Sequence, residues 1–455
     1  MPVHIHRTEL PFSAEEVFAW HARPGARERL TPPWERVRVL EGPAGIAPGA
    51  RTVLALRKGP LTLRWEARHG QKVEGRYFSD EQVRGPFARW MHTHRFVPRG
   101  ERASLLEDEV DYALPLWPLG ALVGGALVRR GLGRLFRLRH ERTGNDLARH
   151  RRFAAHGPRK ILVSGSSGLI GTRLCAFLSS GGHTVIRLLR GGAADNAVAW
   201  APAAGEIDAA ALEGLDAVVH LAGENIAGGR WSEKRKEAIR ASRVDSTALL
   251  CRTLAGLSRK PGVLVAASAV GYYGDRGEGA VDEDAGAGEG YLAEVCQAWE
   301  AATDPARQAG IRVVNLRIGV VLAAEGGALQ KMLPPFRLGL GGPLGNGRQF
   351  MSWIALEDLI GVIQQGIFDE TLRGPVNAVA PEAVTNRDFG RMLGRVLRRP
   401  AAAPLPAGVV RLVFGEMGQA LLLEGQRVLP KRLQAAGFEY VFPGLEGALR
   451  SELGL

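Results

Sequence analysis

Cysteine is scarce: three residues in 455, at positions 175, 251 and 296, with no metal-ligand spacing among them. An odd, sparse count argues against a disulfide-stapled secreted scaffold and suits a reducing compartment, so a cytoplasmic location is expected. All three lie in segments with helical periodicity, where a small buried hydrophobe is the expected role. Long apolar runs are missing as well. The longest, Leu114 to Val128, holds five glycines and prolines and then meets Arg129 and Arg130, so it is too short and too interrupted to span a bilayer. The start, MPVHIHRTELPFSAEEVF, lacks a basic region followed by an apolar core, and no signal peptide is expected. Hydrophobic residues at 45% and charged ones at 23% are ordinary globular values, and the length suits two or three domains.

Lysine is rare too, supplying 8 of the 59 basic residues, so arginine carries the net charge of +12. The excess is uneven. Residues 1–156 hold 27 basic and 17 acidic side chains, whereas the remaining 299 hold 32 and 30. An electropositive first third could attract anionic lipid, nucleic acid or an acidic ligand; a basic solvated face in an arginine-rich chain is the plainer alternative. Its arginines are scattered over strands, helix and loops without a base-stacking pattern, so no nucleic-acid partner is expected.

The first 156 residues read as an α+β unit. After a short strand at 3–9, Ser13 caps a helix with Glu16 at the capping-box position, and Phe12 with Val17 forms a staple. In LTLRWEARH, Leu61, Leu63, Trp65 and Ala67 fall on one face; in RWMHTHRFV, Trp90, His92, His94 and Phe96 do. A helix is expected from about Trp117 to His150, with Leu127, Leu132, Leu135, Phe136 and Leu138 apolar and Arg130, Arg134, Arg137 and Arg142 on its polar face. The sum is a curved sheet wrapped on a long terminal helix. Trp65, Trp90 and Phe96 would line a cavity for an apolar ligand, or else form a packed core. His92 and His94 alone are weak evidence for a metal; a hydrogen-bonded role is expected, and no metal site.

Gly157 and Pro158 mark a linker, after which KILVSGSSGLIGTRLCAFL reads as strand, glycine turn and helix. Gly165, Gly168 and Gly171 form GxxGxxG with Ser166, Ser167, Leu169 and Ile170 between them. In that setting the loop is expected to seat a dinucleotide pyrophosphate on the helix N-terminus. The next strand ends in RLLRGG, with Arg187 and Arg190 and no acid until Asp195. An arginine there neutralises a ribose 2′-phosphate, which favours NADP(H) over NAD, and Arg190 stands at the strand end. LDAVVHLAGENI adds a strand whose end, Leu221, Ala222, Gly223 and Glu224, is expected to border the cofactor. The continuing alternation of strands and helices gives a doubly wound parallel sheet.

Two resemblances follow from these motifs. GPFARWMHTHRF, with RLTPPWERV and LEDEVDYALPL, resembles the polyketide cyclase/START-like (SRPBCC) superfamily, which implies a helix-grip fold and a hydrophobic ligand of lipid, polyketide or isoprenoid kind. GSSGLIG, VVHLAGENI, RWSEKRKEAIRASRV, SAVGYYGD, YLAEVCQAWE, LRIGVVL and GLGGPLGNGRQFMSWIALEDL resemble the atypical extended short-chain dehydrogenase/reductases called epimerase family proteins. That likeness runs from about 159 to the end, where GEMGQALLLEGQRVLPKRLQAAGFEYVFPGLEGAL is similar to the family's small C-terminal module. Expected boundaries are 1–156, a Rossmann-type domain at 157–400, and a mostly helical module at 401–455.

The resemblance also implies a catalytic apparatus. Ser268 matches the hydroxyl that orients substrate, and Tyr291 matches the acid/base. The position of the accompanying lysine holds Val295, which supplies no charge to stabilise a phenolate. Tyr272 and Tyr273 are alternative acids or packing residues. Arg348, Gln349, Trp353 and Asp358 fall where extended members complete the substrate pocket, with Arg348 either meeting an anionic substrate or pairing with Asp358 or Glu357. Glu283 reaches the site from an acidic loop or stays in solvent. An NADP-dependent oxidoreductase or epimerase acting on a small molecule is expected; the alternative is a non-catalytic NADP-binding sensor or carrier, because of Val295. Extended members are often dimers, so a homodimer is an expectation.

Overall fold

The computed structural model describes residues 2–42, 45–115, 119–191 and 196–455. Two compact units emerge: Met1–Ala155 with the short pieces Ala176–Gly182 and Leu453–Leu455, and His156–Cys175 with His183–Glu452.

In the first unit the chain runs β1 (Val3–Leu10), α1 (Ala14–Ala22), α2 (Ala26–Leu30), β2 (Arg36–Glu41), β3 (Arg51–Lys58), β4 (Leu61–Val73), β5 (Tyr77–Arg84), β6 (Arg89–Pro98), β7 (Ser104–Ala113) and α3 (Leu119–Arg152). The strands form one antiparallel sheet in the order β1-β7-β6-β5-β4-β3-β2, and α3 packs on β1 and β7. This is the helix-grip architecture expected from the alternating strands and the long last helix. Ser13 makes both halves of its capping box with Glu16, and Phe12 and Val17 are buried in one core.

Several readings of single residues change. Leu61 and Leu63 are exposed because β4 outruns β5: their pairing begins at Glu66, so the first turn of β4 has only β3 beside it. Leu127 is exposed on α3, while Arg142, expected in solvent, is buried and donates to the Arg29 carbonyl. Trp117 and Asp195 lie outside the described residues. Trp65 and Trp90 pack edge to face with Phe87 and Phe136 nearby, whereas Phe96 joins Phe18 and Phe78 in a separate cluster. The three aromatics therefore do not line one cavity; His92 and His94 stand between the clusters on β6. Against the cost of burial, Asp108 and Asp80 raise the His92 pKa to about 9.

In the second unit β8 (Lys160–Ser164), α4 (Leu169–Ser180), β9 (Thr184–Leu189), β10 (Ala197–Ala201), β11 (Glu206–Ile207), β12 (Ala217–His220), α5 (Glu233–Ala255), β13 (Val263–Ala269) and α6 (Tyr291–Ala301) alternate. They build an eight-stranded sheet in the order β11-β10-β9-β8-β12-β13, continued by the strands Arg312–Ile318 and Gly374–Ala378. All neighbours are parallel except the β10–β11 hairpin. Ile161, Leu162 and Val163 of β8 are fully buried, as befits a central strand covered on both faces. A mostly helical segment closes the chain, and among the described residues no helix is long and apolar enough to cross a membrane.

Each unit buries a neutral histidine. His21 faces the Val17 carbonyl through Nδ1 at 2.8 Å, and burial, with His94 nearby, lowers its pKa to about 3. His220, at the end of β12, sits between Ser164 Oγ at 2.7 Å and Thr247 Oγ1 at 2.9 Å, and burial lowers it to about 4. Unfolded imidazoles take up a proton near pH 6.5, so between that pH and the folded values the unfolded chain binds more protons. The stability these groups confer is whole above about pH 6.5 and falls as pH drops, by up to about 1.4 kcal/mol per pH unit for each histidine. Urea midpoints are expected to fall between pH 7 and 5, with a shallower fall in His21→Gln. An unchanged slope in that variant would assign the acid sensitivity elsewhere.

Candidate functional site

The glycine turn after β8 is an interlocked backbone. Gly165 has φ +66°, and a Cβ there would lie 2.7 Å from the Leu221 carbonyl carbon and 2.9 Å from the Ala222 nitrogen. At Gly171 a Cβ would come 2.2 Å from the Gly165 oxygen, so helix, turn and the end of β12 pack main chain against main chain. The Gly168 amide donates to the Gly165 carbonyl at 3.0 Å, and α4 begins at Leu169, with Ile170 following. Ser166 is buried, while Ser167 and Gly168 are exposed at the helix N-terminus. Ser164 Oγ accepts from the Leu221 and Ala222 amides at 3.1 and 3.3 Å, fixing the β12 end beside the turn.

Two arginines end β9 differently. Arg187 Nε donates to Ser166 Oγ at 3.2 Å, so this side chain braces the turn. Arg190 is exposed at the strand end, with no hydrogen-bond or ion-pair partner among the described residues. Gly223 is exposed, and Glu224 is held by Arg235 Nη1 at 2.9 Å while its own amide donates to Ser242 Oγ. Glu224 is thus tied to α5.

At the ends of β13 and the Arg312–Ile318 strand a second cluster forms. Ser268 Oγ donates to Glu300 Oε1 at 2.7 Å, and Arg317 grips both Glu300 oxygens at 2.8 and 2.9 Å. Arg317 Nη1 also donates to the Tyr273 hydroxyl at 3.0 Å, and that hydroxyl donates to Asn377 Oδ1 at 2.7 Å. The guanidinium lies 3.4 Å over the Tyr272 ring. Burial pushes the Tyr273 phenol up, outweighing Arg317. The sequence reading missed Glu300, Arg317 and Asn377. The signal was a lone arginine inside the apolar run VVNLRIGVVL, since a charge in a buried parallel strand demands a partner.

The remaining expected residues are dispersed. Tyr291 opens α6, but its hydroxyl donates to the Lys236 carbonyl on α5 at 2.6 Å, its ring meets Trp231, and burial raises its pKa. Val295, in the lysine position, is buried. Arg348 is 72% exposed and pairs with Glu278 at 2.6 Å, not with Asp358 or Glu357. Asp358 is instead fully buried and caps the amides of Val441 and Phe442. Gln349 bonds the carbonyls of Leu344 and Leu422. Trp353 is buried, and its indole N–H finds no acceptor among the described residues. Glu283 is buried rather than solvated, accepting from the amides of Asn377 and Arg432.

A parallel sheet in this strand order, with its glycine turn between first strand and first helix, defines a Rossmann-type unit. Residues 161–365 match the NAD dependent epimerase/dehydratase family, residues 10–137 the polyketide cyclase/dehydrase and lipid transport family, and residues 405–452 a domain of unknown function, DUF1731. An epimerase family protein of Mycobacterium tuberculosis is 46% identical over 281 residues, covering 62% of this chain and 93% of that protein. The human epimerase family protein SDR39U1, solved with NADPH, is 37% identical with TM-score 0.59, covering 65% of this chain and 99% of that one. A Corynebacterium glutamicum structure described as a nucleoside-diphosphate sugar epimerase is 33% identical with TM-score 0.81, covering 99% of this chain and 90% of that one. The chain belongs to the epimerase family proteins, here with a polyketide-cyclase-like unit ahead of the Rossmann-type one.

Proposed function

We propose that the protein is an NADP(H)-dependent oxidoreductase of the epimerase class, whose first unit holds a hydrophobic ligand. The observation that carries the cofactor reading is the turn at 165–171, open at Ser167 and Gly168, beside the exposed Arg190 at the end of β9, which has no partner among the described residues. The residues fit the group: bare main chain at a helix N-terminus for a pyrophosphate, and an exposed guanidinium for a 2′-phosphate. The human relative solved with NADPH supports the same choice.

The bound nicotinamide supplies a hydride donor or acceptor. The chain's own hydroxyls would manage the proton. Ser268 orients the substrate oxygen from the end of β13, and Tyr291 meets it as acid. With Val295 in the lysine position and burial raising its pKa, Tyr291 stays protonated near neutrality. A protonated phenol gives a proton rather than taking one, which favours carbonyl reduction over alcohol oxidation. For this the Tyr291 hydroxyl must exchange the Lys236 carbonyl, and the Ser268 hydroxyl the Glu300 carboxylate, for substrate. Tyr272 and Trp353 are proposed to complete the substrate pocket, with Tyr273 and Arg348 at its margins. Three free cysteines support a cytoplasmic setting.

Calorimetric titration with NADPH, NADP, NADH and NAD tests the reading. Arg190→Ala is expected to weaken NADPH by about 10- to 100-fold, the worth of a charge-assisted contact, and to leave NADH unchanged. Equal losses for both would deny Arg190 its role. The committed hydroxyls favour one rival, a dinucleotide-binding sensor; NADPH binding without turnover on any carbonyl screened would favour it.

A further inference from the structure

The first unit carries a side-chain cluster on the sheet face that α3 covers. Alternation puts His92 and His94 on one side of β6, and register sets Asp80 of β5 opposite His92 and Asp108 of β7 opposite His94. His92 Nε2 donates to Asp108 Oδ1 at 2.8 Å, His94 Nδ1 lies 2.6 Å from the same oxygen, and His140 Nε2 approaches Oδ2 at 2.5 Å. The other nitrogens of the two strand histidines turn to a single carboxylate. His92 Nδ1 is 3.2 Å, and His94 Nε2 4.0 Å, from Asp80 Oδ2.

We propose that Asp80, His92 and His94 bind a divalent transition-metal ion of the zinc class, with Asp108 as the positioning residue behind both imidazoles. One donor atom from each of the three lies within 4.8 Å of the others. Bonds of about 2.0–2.2 Å in a tetrahedron set donors about 3.3–3.6 Å apart; the 3.2 Å gap from His92 Nδ1 to Asp80 is close to that spacing, and the 4.0 Å gap from His94 Nε2 to Asp80 must shorten. A carboxylate on the far nitrogen of a ligating histidine fixes its tautomer and raises its basicity; Asp108 does so for His92 through the Nε2 hydrogen bond and lies beside His94 Nδ1 without hydrogen-bond geometry. Asp108 stands on one side of all three rings, and Asp80 on the opposite nitrogens of His92 and His94, which sets one carboxylate behind the imidazoles and the other among the candidate donors. His92 and His94 side chains are 4% and 8% exposed while Asp80 is 20% exposed, which leaves the open coordination position on the Asp80 side. Imidazole and carboxylate without thiolate suit zinc, and three ligands on adjacent strands hold their spacing.

Full-length protein, stripped with a chelator and dialysed, is titrated with Zn²⁺ in competition with a chromophoric chelator, alongside Asp80→Asn, His94→Gln and Asp108→Asn. The expected result is one ion per chain, affinity lower by at least about 100-fold in Asp80→Asn and His94→Gln, and by about 10- to 100-fold in Asp108→Asn. Far-ultraviolet circular dichroism checks that each variant is folded. Co²⁺ in the native chain supplies a reading independent of any variant: weak visible bands of a nitrogen- and oxygen-ligated ion, without thiolate charge transfer. No stoichiometric ion, undiminished binding in folded Asp80→Asn, or a thiolate band pointing to the cysteines would each overturn the proposal.

Discussion

Gly171→Ala is expected to abolish NADPH binding and to lower the melting temperature of the Rossmann-type unit. The added methyl would lie 2.2 Å from the Gly165 oxygen, 2.7 Å from the Ser166 Cα and 2.8 Å from the Gly165 carbonyl carbon. All three atoms are main chain, so no side chain can rotate away. Gly165 cannot retreat either, because it is itself pressed against Leu221 and Ala222. Overpacking costs about 1–3 kcal/mol where side chains adjust, and the upper end applies to a rigid backbone. Gly168→Ala makes the informative contrast. Its Cβ would meet only the Gly165 oxygen, at 3.2 Å, and would otherwise point to open space. That variant is expected to fold normally and to lose NADPH affinity only if a ligand approaches the turn closely. Thermal unfolding and NADPH titration of both separate packing from recognition. Wild-type affinity in folded Gly168→Ala would remove the turn as the pyrophosphate seat.

The second large effect is expected at Arg317. Its side chain is 4% exposed and Glu300's is 13% exposed, so each ion depends on the other for its charge compensation. Arg317→Met strands the Glu300 carboxylate and removes the donor to Tyr273, a loss of about 3–5 kcal/mol. Arg317→Lys recovers little, because a single ammonium cannot repeat a two-oxygen grip, one phenol contact and a stacked ring together. The double variant Arg317→Met, Glu300→Leu is expected to be more stable than Arg317→Met alone, since no orphaned charge remains. Chemical denaturation of the two singles and the double measures the coupling. Additive effects would show that the pair does not act as a unit.

What the chain wrote locally was legible in the sequence. The capping box at Ser13 and Glu16 needs only four residues, and the turn at 165–171 declares itself through glycines placed between a buried strand and an amphipathic helix. Alternating strands and helices after residue 160 gave the parallel sheet its character, because a crossover leaves a periodic trace in sequence. Family motifs along the second unit carried the rest of that identification. Such features depend on neighbours a few residues apart, where steric and hydrogen-bonding rules act directly.

Partner choice was not legible, because it is set across strands and loops. Arg348 found Glu278, seventy positions away, rather than the acids nearest in sequence. Ser268, Glu300 and Arg317 look unrelated along the chain until β13, α6 and the next strand bring them to one end of the sheet. Leu61 and Leu63 obey strand alternation, yet they are exposed, since only the length of β5 decides whether that end of β4 is covered. His92 and His94 advertised a shared face. That Asp80 and Asp108 flank them follows from antiparallel register, which the whole sheet and its packing on α3 select together.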